Sequence, residues 1–284
     1  MAIDLNKIPS LKPNFQFSSA DHISSIIAKN STENDESKQL KLILSLIDFT
    51  TLEGADTYTK VKTMCNTVLE LEKRNDIPNV AAICVYPTFA KLVSEKLSST
   101  KVNTACVAGA FPSVQSSIKI KVQEVKWAIE EGATEIDMVI SRGKLLEKKY
   151  QEVFDEIVVI KESCGDVHLK VIIESGELQN EKNIRIASDL AIYAGADFIK
   201  TSTGKISEGA TYNSVYIMLE AIKDFNNATG KKIGMKPAGG ISDISTAINY
   251  LKLVEATVGN EWITPTLFRF GASSLAKVIL TKLS

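Results

Sequence analysis

The chemistry in this chain is concentrated in lysines and carboxylates that interrupt apolar runs. Residues 195–205 read Gly-Ala-Asp-Phe-Ile-Lys-Thr-Ser-Thr-Gly-Lys. Asp197, Phe198 and Ile199 form a short, mostly apolar run between glycines, which suits a buried parallel strand. Lys200 stands where that run ends. Lysine is among the residues least often buried without a partner, so a lysine here calls for a partner or a chemical task. Thr201, Ser202, Thr203, Gly204 and Lys205 follow, with hydroxyls, a flexible backbone and a second cation. Such a set can hold a small anion. Asp48, Asp137, Lys170 and Lys236 break or end apolar stretches in the same way. They could form a neutralising ion network. Each buried ion, however, carries a desolvation penalty that pairing often only just offsets. Five ionisable groups directed to one place therefore point to function.

Those residues need elements that bring them together. Apolar, strand-like runs occur at 44–49, 80–85, 103–107, 135–140, 168–173, 197–199, 233–235 and 267–270. Amphipathic segments lie between them. Ile118, Val122, Val125 and Ile129 have helical spacing and are followed by Gly132. Val215, Met218, Leu219 and Ile222 have the same spacing and close near Gly230. Alternating strands and helices imply a parallel sheet. Eight such units in about 240 residues predict an α/β chain folded as a (β/α)8 TIM barrel. A doubly wound open sheet is the second reading, but no Gly-x-Gly-x-x-Gly and no Walker-type loop follows a strand. Residues 1–40 read as an N-terminal helical extension, with Ile23, Ile26 and Ile27 at helical spacing, and 41–284 as the barrel domain.

In such a barrel the active site lies at the C-terminal ends of the strands. Thr50, Cys84, Asp137, Lys170, Lys200 and Lys236 all fall at or near expected strand ends. Gly239-Gly240 leads to Ser242, the expected N-cap of a helix running to Leu253. Ser273-Ser274 opens a last helix expected to reach about Lys282. Loops after the seventh and eighth strands that feed helix N-termini are a common phosphate cradle in this fold. Gly204 and Lys205 can complete it.

Composition narrows the class. The chain has 284 residues, 33 basic and 34 acidic, with a net charge of −1. No basic surplus points to nucleic acid or an anionic membrane. No apolar run approaches the roughly 20 residues that span a bilayer, and the first 15 residues do not have the pattern of a signal peptide. The expected setting is the cytoplasm. Cys65, Cys84, Cys106 and Cys164 show no Cys-x-x-Cys spacing and read as free thiols. With only two histidines, no metal site is expected. A homodimer is a possible assembly, since two-fold dimers are the commonest oligomers.

Seven stretches, in order, resemble the deoxyribose-phosphate aldolase family of lysine Schiff-base enzymes. They are residues 47–52 (Ile-Asp-Phe-Thr-Thr-Leu), 81–87, 132–140, 169–174, 197–205, 235–241 (Met-Lys-Pro-Ala-Gly-Gly-Ile) and 269–275 (Arg-Phe-Gly-Ala-Ser-Ser-Leu). The resemblance implies a Schiff base on Lys200, a neighbouring Lys236, and Asp137 as the carboxylate of a proton relay. It places Asp48, Thr50, Cys84 and Lys170 around the substrate. Thr203, Gly204, Lys205, Gly239, Gly240, Ser273 and Ser274 fall on its phosphate site. It implies reversible cleavage of 2-deoxyribose 5-phosphate, a small sugar phosphate, with no metal or organic cofactor, because the iminium itself is the electron sink. Three departures stand out. Ser242 replaces a common arginine, Val114 replaces a common glycine, and no tyrosine follows Tyr250 where some bacterial members end in one. Cys84 is compatible with packing as well as with a direct role. Two other classes fit the same scaffold: a phosphosugar isomerase or epimerase, and a non-catalytic sugar-phosphate-binding relative.

Overall fold

The computed structural model describes residues 5–12, 14–16, 22–28 and 35–283. Eight parallel strands form one sheet in the order β7-β6-β5-β4-β3-β2-β1-β8. They are β1 (Ile47–Thr50), β2 (Ala82–Val85), β3 (Asn103–Val107), β4 (Glu135–Val139), β5 (His168–Ile172), β6 (Phe198–Lys200), β7 (Gly234–Lys236) and β8 (Phe270–Ala272). Parallel bridges Met235–Phe268 and Ala238–Gly271 join the two ends of the sheet. The result is the (β/α)8 barrel that the alternating pattern predicts.

Eleven helices are described: α1 (Ile23–Ala28), α2 (Glu36–Ser45), α3 (Tyr58–Glu72), α4 (Ala90–Lys96), α5 (Ile118–Glu130), α6 (Arg142–Leu146), α7 (Tyr150–Cys164), α8 (Glu181–Tyr193), α9 (Tyr212–Thr229), α10 (Ile244–Thr257) and α11 (Ser274–Leu283). Among these described helices none is long and apolar enough to cross a membrane. Their caps follow local chemistry. Thr57, Ser117, Asn180 and Thr211 each accept an N–H from the first turn of α3, α5, α8 and α9. Gly230 ends α9 in the left-handed region, at φ 73°.

The strand alternation decides what enters the barrel. Ile136, Met138, Val171, Ile199 and Met235 face outward into the main apolar core under the helices. The alternate residues Asp137, Lys170, Lys200 and Lys236 are all buried, on the opposite face. Register sets them in pairs, with Lys200 opposite Ile172, two residues past Lys170. Asp137 pairs with Lys170, and Lys200 pairs with Lys236. Ala82, Cys84, Ala105, Val107 and Leu52 form a separate small apolar cluster.

Most strand bounds shift by one or two residues from the sequence expectation, α10 runs on past Leu253 to Thr257, and three differences have a clear local cause. The first strand begins at Ile47, not residue 44, because Asp35 caps α2 and Leu40, Ile43 and Leu44 supply that helix with a buried face. The eighth strand is Phe270–Ala272, because Leu267 and Phe268 both donate their N–H to Thr264 in a tight turn before it. The cap of α10 is Asp243, not Ser242. Its carboxylate accepts from both the N–H and the hydroxyl of Thr246, at 2.8 Å each.

The described parts of the N-terminal segment lie against the barrel helices. Ile8 is fully buried, and the Ser10 N–H donates to Asp189 of α8 at 3.2 Å. Helix α1 packs on α9 and α10. All four cysteines are free and buried.

Candidate active site

A cavity of about 570 Å³ opens at the C-terminal ends of the strands. Lys200 reaches its surface, along with Thr50, Thr203, Gly204, Lys205, Gly239, Gly240, Ser273 and Ser274. Asp48, Cys84, Asp137, Lys170 and Lys236 do not line it. They lie fully buried inside the barrel. Ser242 and Lys277 line the cavity from the loop before α10 and from α11.

Inside the barrel the charged groups form a closed ring. Arg269 donates to Asp48 at 2.6 Å and to Glu135 at 2.9 Å. Lys170 donates to Glu135 at 2.6 Å and to Asp137 at 2.9 Å. Lys236 donates to Asp137 at 2.7 Å and also to Asp48, which closes the ring. Three cations alternate with three carboxylates, so the ring is neutral without Lys200. Lys200 is the fourth cation. It donates to Asp137 Oδ2 at 2.8 Å, the same oxygen that Lys236 uses.

That arrangement separates the two lysines. Burial pushes the Lys200 amine down, Asp137 pulls it up, and the Lys236 charge pushes it down again; the net shift is below the ordinary lysine value. Burial also acts against charge on Lys236, but Asp137 and Asp48 outweigh it and hold that amine protonated. Lys170 is raised for the same reason: burial is outweighed by Asp137 and Glu135. Burial raises Asp137 and Asp48, yet the surrounding cations hold both carboxyls below the usual range. The site can therefore present a neutral amine at the cavity floor beside a permanent ammonium and a permanent carboxylate. A neutral amine is a nucleophile toward carbonyl carbon.

Cys84 has no such activation. Its thiol is fully buried, and burial raises it above the ordinary cysteine value. Among the described residues no group of His, Cys, Asp or Glu is arranged to hold a metal ion.

Above the floor, three glycines shape a cradle. Gly204, Gly239 and Gly240 all have positive φ, between 75° and 84°. A Cβ on Gly239 would stand 2.9 Å from the Gly209 Cα, so the backbone is both left-handed and crowded there. The loops after β7 and β8 lead into α10 and α11, whose first N–H groups favour an anion.

Three residues that matter here were given no role from sequence. Glu135 and Arg269 complete the ring. Glu135 lies two residues before Asp137, and period two puts both on one face, so the alternation carried that signal. Glu174 is the third. It is fully buried and left-handed at φ 55°, and it accepts from the Thr203 N–H at 3.0 Å and the Thr203 hydroxyl at 2.6 Å. Arg142 donates at 3.3 Å to Oε2, the oxygen that the Thr203 hydroxyl also uses, and donates to the Pro112 and Ser113 carbonyls as well. Glu174 thus fixes the loop that carries Gly204 and Lys205. Glu174→Gln should loosen that loop and raise KM for a phosphorylated substrate by about tenfold, the worth of a hydrogen bond to a charged group. Steady-state kinetics checks this; an unchanged KM would remove Glu174 from any positioning role. Nearby, Val114 adopts φ 67°, a region that β-branched residues rarely enter.

The DeoC/LacD family aldolase model matches residues 42–275. The chain belongs to this aldolase family. A Caenorhabditis elegans relative is 44% identical, over 87% of this chain and 82% of its own length. The Mus musculus deoxyribose-phosphate aldolase is 40% identical, over 82% of this chain and 76% of its own. In fold the chain is similar to the tetrameric deoxyribose phosphate aldolase of Aeropyrum pernix, with a TM-score of 0.70 at 24% identity, covering 94% of this chain and 99% of that one. The match of the family model begins within α2 and ends in α11. It takes in the whole ring and the cradle.

Proposed function

We propose that this aldolase reversibly cleaves 2-deoxy-D-ribose 5-phosphate to acetaldehyde and D-glyceraldehyde 3-phosphate, through an imine on Lys200. The carrying observation is the charge balance: a ring neutral on its own, with Lys200 as the one surplus cation at the cavity floor. The relatives' names supply the substrate class.

The neutral Lys200 amine attacks C1 of the open-chain sugar, and loss of water leaves the iminium. That cation stands where the ammonium stood, 2.8 Å from the Asp137 carboxylate. The C3 hydroxyl loses its proton and the C2–C3 bond breaks. Its electron pair flows into the iminium to give an enamine and glyceraldehyde 3-phosphate. Protonation of the enamine carbon and hydrolysis release acetaldehyde. In this reading Asp137 carries protons through a water, while Lys236 stays charged and holds that carboxylate in place. Asp48 and Lys170 keep Lys236 and Asp137 oriented. Thr50 faces the sugar; its hydroxyl proton goes to the Asp48 carbonyl at 2.7 Å, so it offers lone pairs to the cavity. Thr203, Gly204, Lys205, Gly239, Gly240, Ser273 and Ser274 receive the phosphate. In this reading residues 1–40 are an N-terminal extension and residues 41–284 the catalytic domain; the described parts of the extension pack on the barrel through the buried Ile8 and through α1 on α9 and α10, and the boundary falls inside α2. An isomerase or epimerase is less well served, because no ring carboxylate lines the cavity: Asp48, Glu135 and Asp137 are buried beneath it, and Lys200 alone of this charged cluster opens onto it.

Incubation with 2-deoxyribose 5-phosphate and borohydride should add a reduced two-carbon group to Lys200, read by intact mass and peptide mapping. A folded, substrate-bound protein with no adduct would end the imine reading. The pH profile follows from the same amine. Lys200 is active when deprotonated, so kcat/KM should rise with pH and level off below the ordinary lysine pKa of about 10.4. A limb centred at or above that value would contradict the lowered amine.

A further inference from the structure

We propose that Glu53 sets how strongly this site selects phosphorylated over unphosphorylated substrates. The inference rests on the phosphate cradle proposed above and adds a residue outside it. Glu53 lies in the loop after β1, and Lys205 in the loop after β6. The Lys205 Nζ donates to Glu53 Oε1 at 2.8 Å, and both residues line the cavity. The ion pair therefore joins two strand-end loops across the mouth. Lys205 is the cradle cation that Glu53 holds, so a seated phosphate and the Glu53 carboxylate compete for the same ammonium.

Neither backbone can retreat from that competition. The Glu53 N–H donates to Asp56 Oδ2 at 2.9 Å, and the Asp56 N–H donates back to the Glu53 carbonyl at 3.0 Å. Asp56 is itself held by the Thr51 hydroxyl at 2.8 Å and by Lys60 at 2.6 Å. On the other side, the Lys205 N–H donates to the Thr203 hydroxyl at 3.0 Å, and Thr203 is bound to Glu174. The Glu53 side chain, 66% exposed, can turn toward water. Its charge stays at the mouth, where it repels a dianion. An unphosphorylated sugar leaves the ion pair intact. Glu53 thus weakens phosphate binding and narrows the preference for phosphorylated substrates.

Glu53→Gln keeps the side-chain length and removes the charge. Inorganic phosphate is the probe, with its Kd measured by calorimetry at low ionic strength, beside kcat/KM for 2-deoxyribose 5-phosphate and for 2-deoxyribose. The variant should bind phosphate about three- to fivefold more tightly, the worth of an exposed ion pair. The ratio of the two kcat/KM values should rise by the same factor. Raising the salt to about 1 M should erase the gain. In a Lys205→Met background the same substitution should give at most a small part of it, because the contested cation is gone. An unchanged phosphate Kd in Glu53→Gln, with phosphate bound and the phosphorylated substrate preferred by wild type, overturns the role of Glu53 while leaving the cradle standing. A wild-type enzyme that neither binds phosphate nor prefers the phosphorylated sugar overturns both.

Discussion

A Lys200→Met enzyme should lose kcat by on the order of 10⁴-fold or more, the scale on which removal of a covalent nucleophile acts, and should take up no borohydride-trapped adduct. It should also fold as well as wild type. Methionine has nearly the length of lysine and no charge, and the ring of Arg269, Glu135, Lys170, Asp137, Lys236 and Asp48 is neutral without Lys200. Thermal melting should therefore place Lys200→Met at or above the wild-type Tm. Lys236→Met is the contrast. It removes a ring member that bonds Asp48 and Asp137, and it should melt well below wild type. A Lys200→Met protein as unstable as Lys236→Met would mean that Lys200 belongs to the structural charge balance. The argument for a neutral amine would then fail.

Arg269→Met should destabilise the fold by about 3–5 kcal/mol, because it leaves buried carboxylates without a partner. Arg269 is 3% exposed and bonds both Asp48 and Glu135. A change of that size lowers Tm by on the order of 10 °C in a domain this large. The effect has a pH signature. The folded-state pKa of Asp48 and of Asp137 lies below the unfolded value of about 3.9. The unfolded chain therefore binds more protons between those two limits, and stability rises with pH there. The stabilisation is fully present above the unfolded pKa and drains away as pH falls through the folded one. Without Arg269 the Asp48 carboxyl is depressed less, so this acid-sensitive part of the stability shrinks. Arg269→Met should unfold at a higher pH than wild type in an acid titration followed by circular dichroism, and the gap in stability between the two should narrow at low pH. Equal Tm and equal acid midpoints would show that the ring does not hold the barrel. Turnover should fall as well, since Asp48 and Lys236 orient Asp137.

Much of this was legible in sequence because burial on both faces leaves parallel strands almost wholly apolar. Against that background Asp48, Asp137, Lys170, Lys200 and Lys236 each stand out. The strand and helix order likewise followed from hydrophobic period, and the paired glycines with the lysine after β6 marked the cradle. Boundaries were less legible. The run from residue 42 to residue 47 is apolar except for Ser45, and only the Asp35 cap and the packing of Leu40, Ile43 and Leu44 divide it into α2 and β1.

What one stretch of sequence determines is which residues share a face and which face is polar, because alternation is a local property of the chain. It determined the barrel, the lysine at its sixth strand end and the aldolase family likeness. Partners across the barrel are a different matter. Arg269 and Asp48 are separated by 221 positions and Lys236 and Asp48 by 188, and each pair meets only once the sheet has closed. Closure decided that three cations and three carboxylates balance, that Lys200 is the surplus charge, and that Glu53 spans the mouth to Lys205. The protonation of a buried lysine depends on the sum of burial and every neighbouring charge, and that sum exists only in three dimensions.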